Sequence, residues 1–424
     1  SKRYDIPLIA GTDTHALNET HLSGRKVLQQ GKGVHFEDEE EWDLAFKTYD
    51  QLCKCYELQN SVPKKDYLQA IENTNLIADM VEEFQVDTGF KYPKIYDNPE
   101  DTFKQKIRNA LSNHKYAKER HGKQIEEVLN TEYEVYKKTQ SIDFLLLQNY
   151  IREWEAKNGI RCGYSRGSVS GSMIAYILGI TEMDSLKFDL NFFRFQNPDR
   201  VTVCDIDTDY GGQDRDKVKE FILKDRMNLE KLHTSEIITF NTIALRGAIR
   251  DIGRALEMPL EIVDEISKSS EDDDAIIRYR KKHPELFKYV DIVNGTIVSI
   301  GSHPAGVLIS ELDISEEIGL CTTKGSQYPV SMLNMNELDD LKFVKLDILG
   351  LDNIEVINQT CDMVGIDRLN PDNVDLEDKD VWESIRDNTT MIFQWESDFA
   401  QTYIRKFMSK ETIDKVKNRI PNFS

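Results

Sequence analysis

Three aspartates at intervals of two, Asp205, Asp207 and Asp209 in VCDIDTDY, are the side chains of this sequence best spaced for chemistry. On a strand alternate residues point to one face, so the three carboxylates would stand together, with neighbours about 6.5 to 7 Å apart along the chain. That spacing can bracket two divalent ions. Two-metal phosphoryl chemistry uses ions about 3.5 to 4 Å apart, held by carboxylates that leave positions open for substrate oxygens. A calcium loop is a competing use of such a run, but it needs glycine at its sixth position and glutamate at its twelfth. Counted from Asp205, those positions hold Tyr210 and Asp216. A solvated acidic turn is the remaining alternative.

A third acid for such a cage is Asp347 in FVKLDILGL, embedded among Phe343, Leu346, Ile348 and Leu349. A carboxylate in an apolar strand is costly unless it is paired or binds a metal. Lys345, two residues earlier, shares its face on a regular strand and suits either an ion pair or a second site residue. Residues 163–172, GYSRGSVSGS, precede an apolar run, Met173–Ile177, that should open a helix. Amides at a helix N-terminus favour a phosphate, and Arg166 and Ser168 would add guanidinium and hydroxyl donors. The pattern is neither the P-loop nor the dinucleotide glycine fingerprint, which disfavours an ATPase or a dehydrogenase; an ordinary flexible turn is the other reading. Arg246, Arg250 and Arg254 recur every four residues and line one helical face, which can lie along DNA phosphates or simply be solvated, with Asp251 as an ion-pair partner.

The elements that must position these groups are of both kinds. Residues 6–10 and 200–209 read as strands, the second by its period of two, and strands are also expected at 296–300, 307–309 and 341–348. Helices are expected at 66–85, 103–111, 125–136 and 144–154, from about Asp214 onward, over 237–254, on to about Val293, and again from about Glu377.

A chain of 424 residues has room for about three domains. Its apolar runs, Phe144–Leu147 among them, are far too short to span a bilayer, so no membrane partner is expected. No basic, apolar start suggests a secretory signal, and the chain begins with Ser1 rather than Met, as a processed or excerpted chain would. Six cysteines without a zinc spacing or a dense disulfide framework favour a reducing cytoplasm. The formal charge of −21 argues against nucleic-acid binding by the surface as a whole. Acid runs such as Glu271–Asp274 suit solvated faces, whereas basic residues gather near the motifs.

Taken in order, GTDTH at 11–15, SRGSVSGSMIAYILGIT at 165–181, FFRFQNPDR at 192–200, CDIDTDY at 204–210, ITFNTIALRGAIRDIGRAL at 238–256, GSHPAGVLIS at 301–310, FVKLDILGL at 343–351 and FQWES at 393–397 resemble the C family of bacterial replicative DNA polymerases, the alpha subunits of DNA polymerase III. The resemblance implies an α+β chain built on a beta-polymerase-like nucleotidyltransferase palm at 85–236 and 298–351, with a helical thumb inserted at 237–297. Residues 1–80 would be the C-terminal end of a polymerase-and-histidinol-phosphatase domain, retaining only Asp13 and His15 of its scattered ligands. Residues 352–424 would begin the fingers.

Carried over by position, Asp205, Asp207 and Asp347 match the catalytic, metal-binding aspartates. Gly167 and Ser168 match the triphosphate turn, with Arg166, Arg200 and Lys345 as further triphosphate contacts and Arg246, Arg250 and Arg254 as DNA contacts. Cys204 stands where proline is usual, and Tyr164 and Ser165 replace a glycine-richer turn. The implied cofactors are two divalent ions, Mg2+ by expectation. The implied partners are dNTP, primer-template DNA and the remaining polymerase domains or a partner chain that supplies them. The alternative is a noncatalytic DNA-binding or assembly fragment of a split polymerase.

Overall fold

The structure, a computed structural model, describes residues 4, 6–36, 42–199, 204–376, 378–409 and 411. Arg200, expected at the triphosphate, lies outside the described residues. The chain forms two compact units, one from residues 1–86 and 240–300, the other from 87–239 and 301–424.

The first unit is helical. Helix Glu19–Gly31 starts at Asn18, whose side chain accepts the His21 N–H, and it packs on helices Leu245–Ala255 and Pro284–Val293. The shared core holds Leu28, Ile249, Ile252, Val263, Ile266, Phe287 and Val290. Small residues permit the close approach: a Cβ on Gly31 would collide with the Asp251 carbonyl, and one on Gly253 would lie 2.6 Å from Val263.

The second unit is built on one six-stranded mixed sheet, giving the α+β class. Its strands are β1 (Asp207–Tyr210), β2 (His233–Thr242), β3 (Ile297–Ser310), β4 (Leu320–Cys321), β5 (Val330–Ser331) and β6 (Val344–Gly350). Their order is β1-β6-β3-β2-β5-β4. The far ends of β2 and β3 continue into the first unit. β1 runs parallel to β6 with Asp207 opposite Asp347, and β3 runs antiparallel to β6 with Gly306 opposite the same aspartate.

Burial along β6 alternates: Val344, Leu346 and Ile348 are buried while Lys345, Asp347 and Leu349 are half-buried. Helix Ile142–Lys157 is buried nearly all round, with Phe144, Leu145, Leu146 and Leu147 inaccessible to solvent, so it is a core element rather than an amphipathic one. Its Trp154 stacks on Phe221 of helix Gly212–Leu223 at 3.9 Å between ring centroids.

Four local expectations are corrected. Residues 6–10 form no strand, because their apolar run has no ladder partner among the described residues. The stretch 237–254 is not one helix: β2 extends to Thr242 and the helix begins at Leu245. The β-branched and aromatic run Ile237–Phe240 has β3 and β5 on either side to satisfy its backbone. The two strands expected at 296–300 and 307–309 are one continuous β3. The strand expected at 200–209 is regular only from Asp207, with residues 200–203 outside the described residues.

Candidate active site

The parallel pairing of β1 with β6 sets Asp207 beside Asp347, and Asp205 stands just before β1. Asp205 follows a fixed point: Cys204 is buried and donates its N–H to the Tyr92 hydroxyl at 2.8 Å. Ile206, also buried, pins the next residue into the core. Although Asp205 keeps a solvent-facing edge, the protein packed around its carboxyl raises it from 3.8 to about 6, with the like charges of Asp207 and Asp347 adding to the shift. Burial and then the charge of Asp347 also raise Asp207, opposed by Arg166. The three acids therefore share one electrostatic neighbourhood. One oxygen of Asp347, Oδ1, is buried without a hydrogen-bond partner.

Two cations border the cluster. Lys345 is ion-paired to Asp339 at 2.7 Å rather than to Asp347, and its charge lowers Asp205 and Asp207. Arg166 lies 2.8 Å from Asp209 and 3.5 Å from Asp207, with its guanidinium 5.7 Å from the centre of the Phe393 ring. Asp209, buried on the same strand, thus serves as a counter-ion to Arg166. The FQWES segment reaches this point through a turn in which Thr389 donates to the Trp395 carbonyl and Asn353 to that of Met391.

The opposite face of β1 is a polar network. Arg152 donates to Glu155 at 2.5 Å and to the Thr208 hydroxyl at 2.6 Å, and Tyr210 donates to Glu155 at 2.6 Å. These buried contacts tie β1 to helix Ile142–Lys157 and fix which way its side chains alternate. Arg215 braces the other side of the pair, donating to the Ile348 carbonyl at 3.0 Å and to that of Pro304.

The glycine–serine turn is anchored beside these strands. Gly163 donates its N–H to the Asp209 carbonyl at 2.7 Å, and a Cβ on Gly163 would lie 3.2 Å from Asp209 Cβ. Arg166 then leads into a 3-10 turn, Gly167–Gly171. Gly167 has φ +71°, a left-handed conformation that side chains disfavour. Gly167 and Ser168 are exposed, while Val169 plugs into the core. Gly171 packs so tightly that a Cβ would sit 2.8 Å from the Asn191 carbonyl oxygen.

One expectation about this turn is corrected. The amides of Met173 and Ile174, at the start of helix Met173–Ile177, do not face outward for a phosphate. They donate to the carboxylate of Glu132 at 2.8 and 2.9 Å. Donors for an anion therefore have to come from Arg166 and the exposed Gly167–Ser168 segment.

Glu132 escaped the sequence reading, although a signal was there. On helix Gln124–Lys138 it falls seven residues after Ile125, three after Leu129 and four before Tyr136, all buried, so it occupies a core position. An acid there needs a partner.

Arg246, Arg250 and Arg254 belong to the first unit. Arg246 is exposed, Arg250 donates to the Ser267 hydroxyl at 3.3 Å, and Arg254 donates to the Gly31 carbonyl at 2.9 Å. Asp251 lies 3.7 Å from Arg254.

Among the described residues no three His, Cys, Asp or Glu side chains are drawn into a group able to hold a metal ion as they stand. The donor set nonetheless fits a hard divalent cation. The like charges of Asp207 and Asp347 help push Asp205 up to about 6, and Asp347 carries an unpartnered buried oxygen, both of which a cation would relieve.

Comparison with known proteins places this chain within a family. The model of the bacterial DNA polymerase III alpha NTPase domain matches residues 100–350, which span Arg166, Asp205, Asp207 and Asp347. The chain is 27% identical to the DNA polymerase III subunit alpha of Halalkalibacterium halodurans over 97% of its own length and 38% of that protein's. It is 32% identical to the Neisseria meningitidis subunit over 60% of the chain and 24% of that protein, and 31% identical to the Escherichia coli K12 subunit over 67% and 26%. The chain thus spans well under half the length of these relatives.

Proposed function

Because the chain belongs to the bacterial DNA polymerase III alpha family, we propose that it carries the palm of a DNA-directed DNA polymerase, which joins a dNTP to a primer 3'-hydroxyl. The observation that carries this reading is the register of Asp207 against Asp347 on adjacent strands, with Asp205 coupled to both.

In this reading the palm comprises 85–236 and 298–351, with a thumb at 237–297, the end of a polymerase-and-histidinol-phosphatase domain at 1–80, and the fingers beginning at 352. The compact units divide at 86/87, 239/240 and 300/301, close to three of those boundaries, and show no division at 352. Asp205, Asp207 and Asp347 would hold two divalent ions, which when bound activate the 3'-hydroxyl and neutralise the triphosphate and the departing pyrophosphate.

The chain's own residues have separate tasks. The rigid sheet holds the acids at fixed spacing, and Asp209 presents Arg166 at the mouth of the cluster. Arg166, with Gly167 and Ser168, receives the triphosphate, and Lys345 limits the negative charge around Asp205 and Asp207. The helix bearing Arg246, Arg250 and Arg254 offers its exposed charge to DNA phosphates.

The test is single-nucleotide incorporation by the chain together with the remaining polymerase segments. Asp205→Ala and Asp347→Ala are each expected to lower incorporation by about a thousandfold or more while primer-template binding persists. Incorporation within tenfold of wild type in either folded variant would contradict the assignment. Silence of the wild type in the completed assembly would favour an assembly fragment instead.

A further inference from the structure

The side chain that fixes the far end of the glycine–serine turn belongs to none of the groups assigned above. Glu132 is 1% exposed and Ser172, which it touches, is fully buried. The Ser172 hydroxyl donates to Glu132 at 2.7 Å and accepts from Tyr136 at 2.6 Å and from the Ala175 N–H at 3.0 Å. Together with the Met173 and Ile174 amides, this gives the carboxylate three donors and ties it to the helix start.

At its near end the turn is held by the Gly163 contact to Asp209 and by Arg166. Between the two clamps Gly167 and Ser168 are exposed. The turn is short, and it opens on a left-handed glycine, Gly167, where a side chain would point into open space. Its shape is set by Val169 and Gly171 packing inward and by the clamps at its two ends.

We propose that Glu132 is a positioning residue for nucleotide binding: through Ser172 and the Met173 and Ile174 amides it holds the Gly167–Gly171 turn in the conformation that receives the triphosphate of a dNTP. This rests on the polymerase reading of the turn and adds to it a residue that meets neither metal nor substrate. Glu132→Ala removes all three acceptor contacts, whereas Glu132→Gln keeps the shape and loses the charge. An amide oxygen still accepts one backbone N–H while its NH2 faces the other, so an intermediate defect follows.

The experiment uses the full chain with the remaining polymerase segments and has two readouts. In single-nucleotide incorporation, Glu132→Ala should raise KM for dNTP about tenfold and Glu132→Gln about threefold, with kcat within about twofold of wild type. Hydrogen exchange followed by mass spectrometry should show faster exchange in Glu132→Ala over 167–175, with the β1 and β6 peptides unchanged.

Unchanged exchange at 167–175 in both folded variants would overturn the clamp, as would an unchanged KM alongside wild-type kcat. A loss confined to kcat would also overturn it, since it would place Glu132 in the chemical step. If wild type incorporates nothing, the polymerase reading fails, and the positioning proposal fails with it as a statement about nucleotide. Faster exchange in Glu132→Ala would then still separate that failure from a failure of the clamp itself. Should Glu132→Ala not fold, Ser172→Ala removes the hydroxyl donor to Glu132 together with the acceptor of Tyr136 and of the Ala175 N–H, and is expected to show the same pattern.

Discussion

The two faces of β1 carry ionisable side chains and treat them in opposite ways. On one face Arg152, Glu155, Tyr210 and Thr208 exchange short hydrogen bonds, and the charge of Arg152 has a direct partner. On the other, Asp205, Asp207 and Asp347 repel one another, the nearest cations are partly committed elsewhere, and Asp347 Oδ1 has no donor. A chain that can satisfy buried charge within one strand's width leaves such a cluster unsatisfied where a ligand is to complete it. The paired face holds the strand, and the acid face is the one that the proposed function uses for chemistry.

That contrast can be broken from the paired side first, where the largest change in stability is expected. Glu155→Ala leaves Arg152 charged and buried without its carboxylate, and removes the acceptor of Tyr210. A loss of about 3–5 kcal/mol is expected in chemical denaturation. A loss below about 1 kcal/mol would mean that the network does not hold β1.

The unpaired side should respond weakly and with the opposite sign. Asp205→Asn removes a carboxylate from a repulsive cluster, so without divalent ions its stability near neutral pH should equal that of wild type or exceed it by roughly 1 kcal/mol or less. The change should depend on pH. Because the folded protein raises Asp205 from 3.8 to about 6, it binds that proton more tightly than the unfolded chain does. The corresponding stability is complete below the unfolded value and is lost as pH rises through about 6. Melting temperatures from pH 4 to 7.5 should therefore decline less steeply for Asp205→Asn than for wild type in chelator. Identical slopes would show that Asp205 does not share the strain of the cluster.

Much of the site was legible because its signals are local. Asp205, Asp207 and Asp209 announce their common spacing, and Asp347 stands out as an acid between Leu346 and Ile348. What the spacing alone left unresolved was the partnering. Lys345 shares a strand face with Asp347, yet the turn before β6 brings Asp339 to it instead. Asp209 reads as a third member of the acid row, but the return of the chain at Cys162 and Gly163 makes it the partner of Arg166.

The fold was readable where periodicity and partner agreed, as on helix Gln124–Lys138, and misread where they parted. Residues 237–254 have apolar spacings compatible with a helix, and only the neighbouring β3 and β5 decide that the first part is a strand. Residues 6–10 have strand composition with no neighbour to pair with among the described residues. Glu132 was hidden because its partner, the start of helix Met173–Ile177, lies some forty residues away.

The central claim, that Asp205, Asp207 and Asp347 form a divalent-cation site serving a nucleotide on the adjacent turn, is tested most directly by crystallography with Mn2+ and a nonhydrolysable dNTP. Anomalous density is expected at coordination distance from these three carboxylates, with the triphosphate against Arg166, Gly167 and Ser168. Manganese absent from the three aspartates while nucleotide is bound, or a triphosphate seated away from the turn, would contradict it.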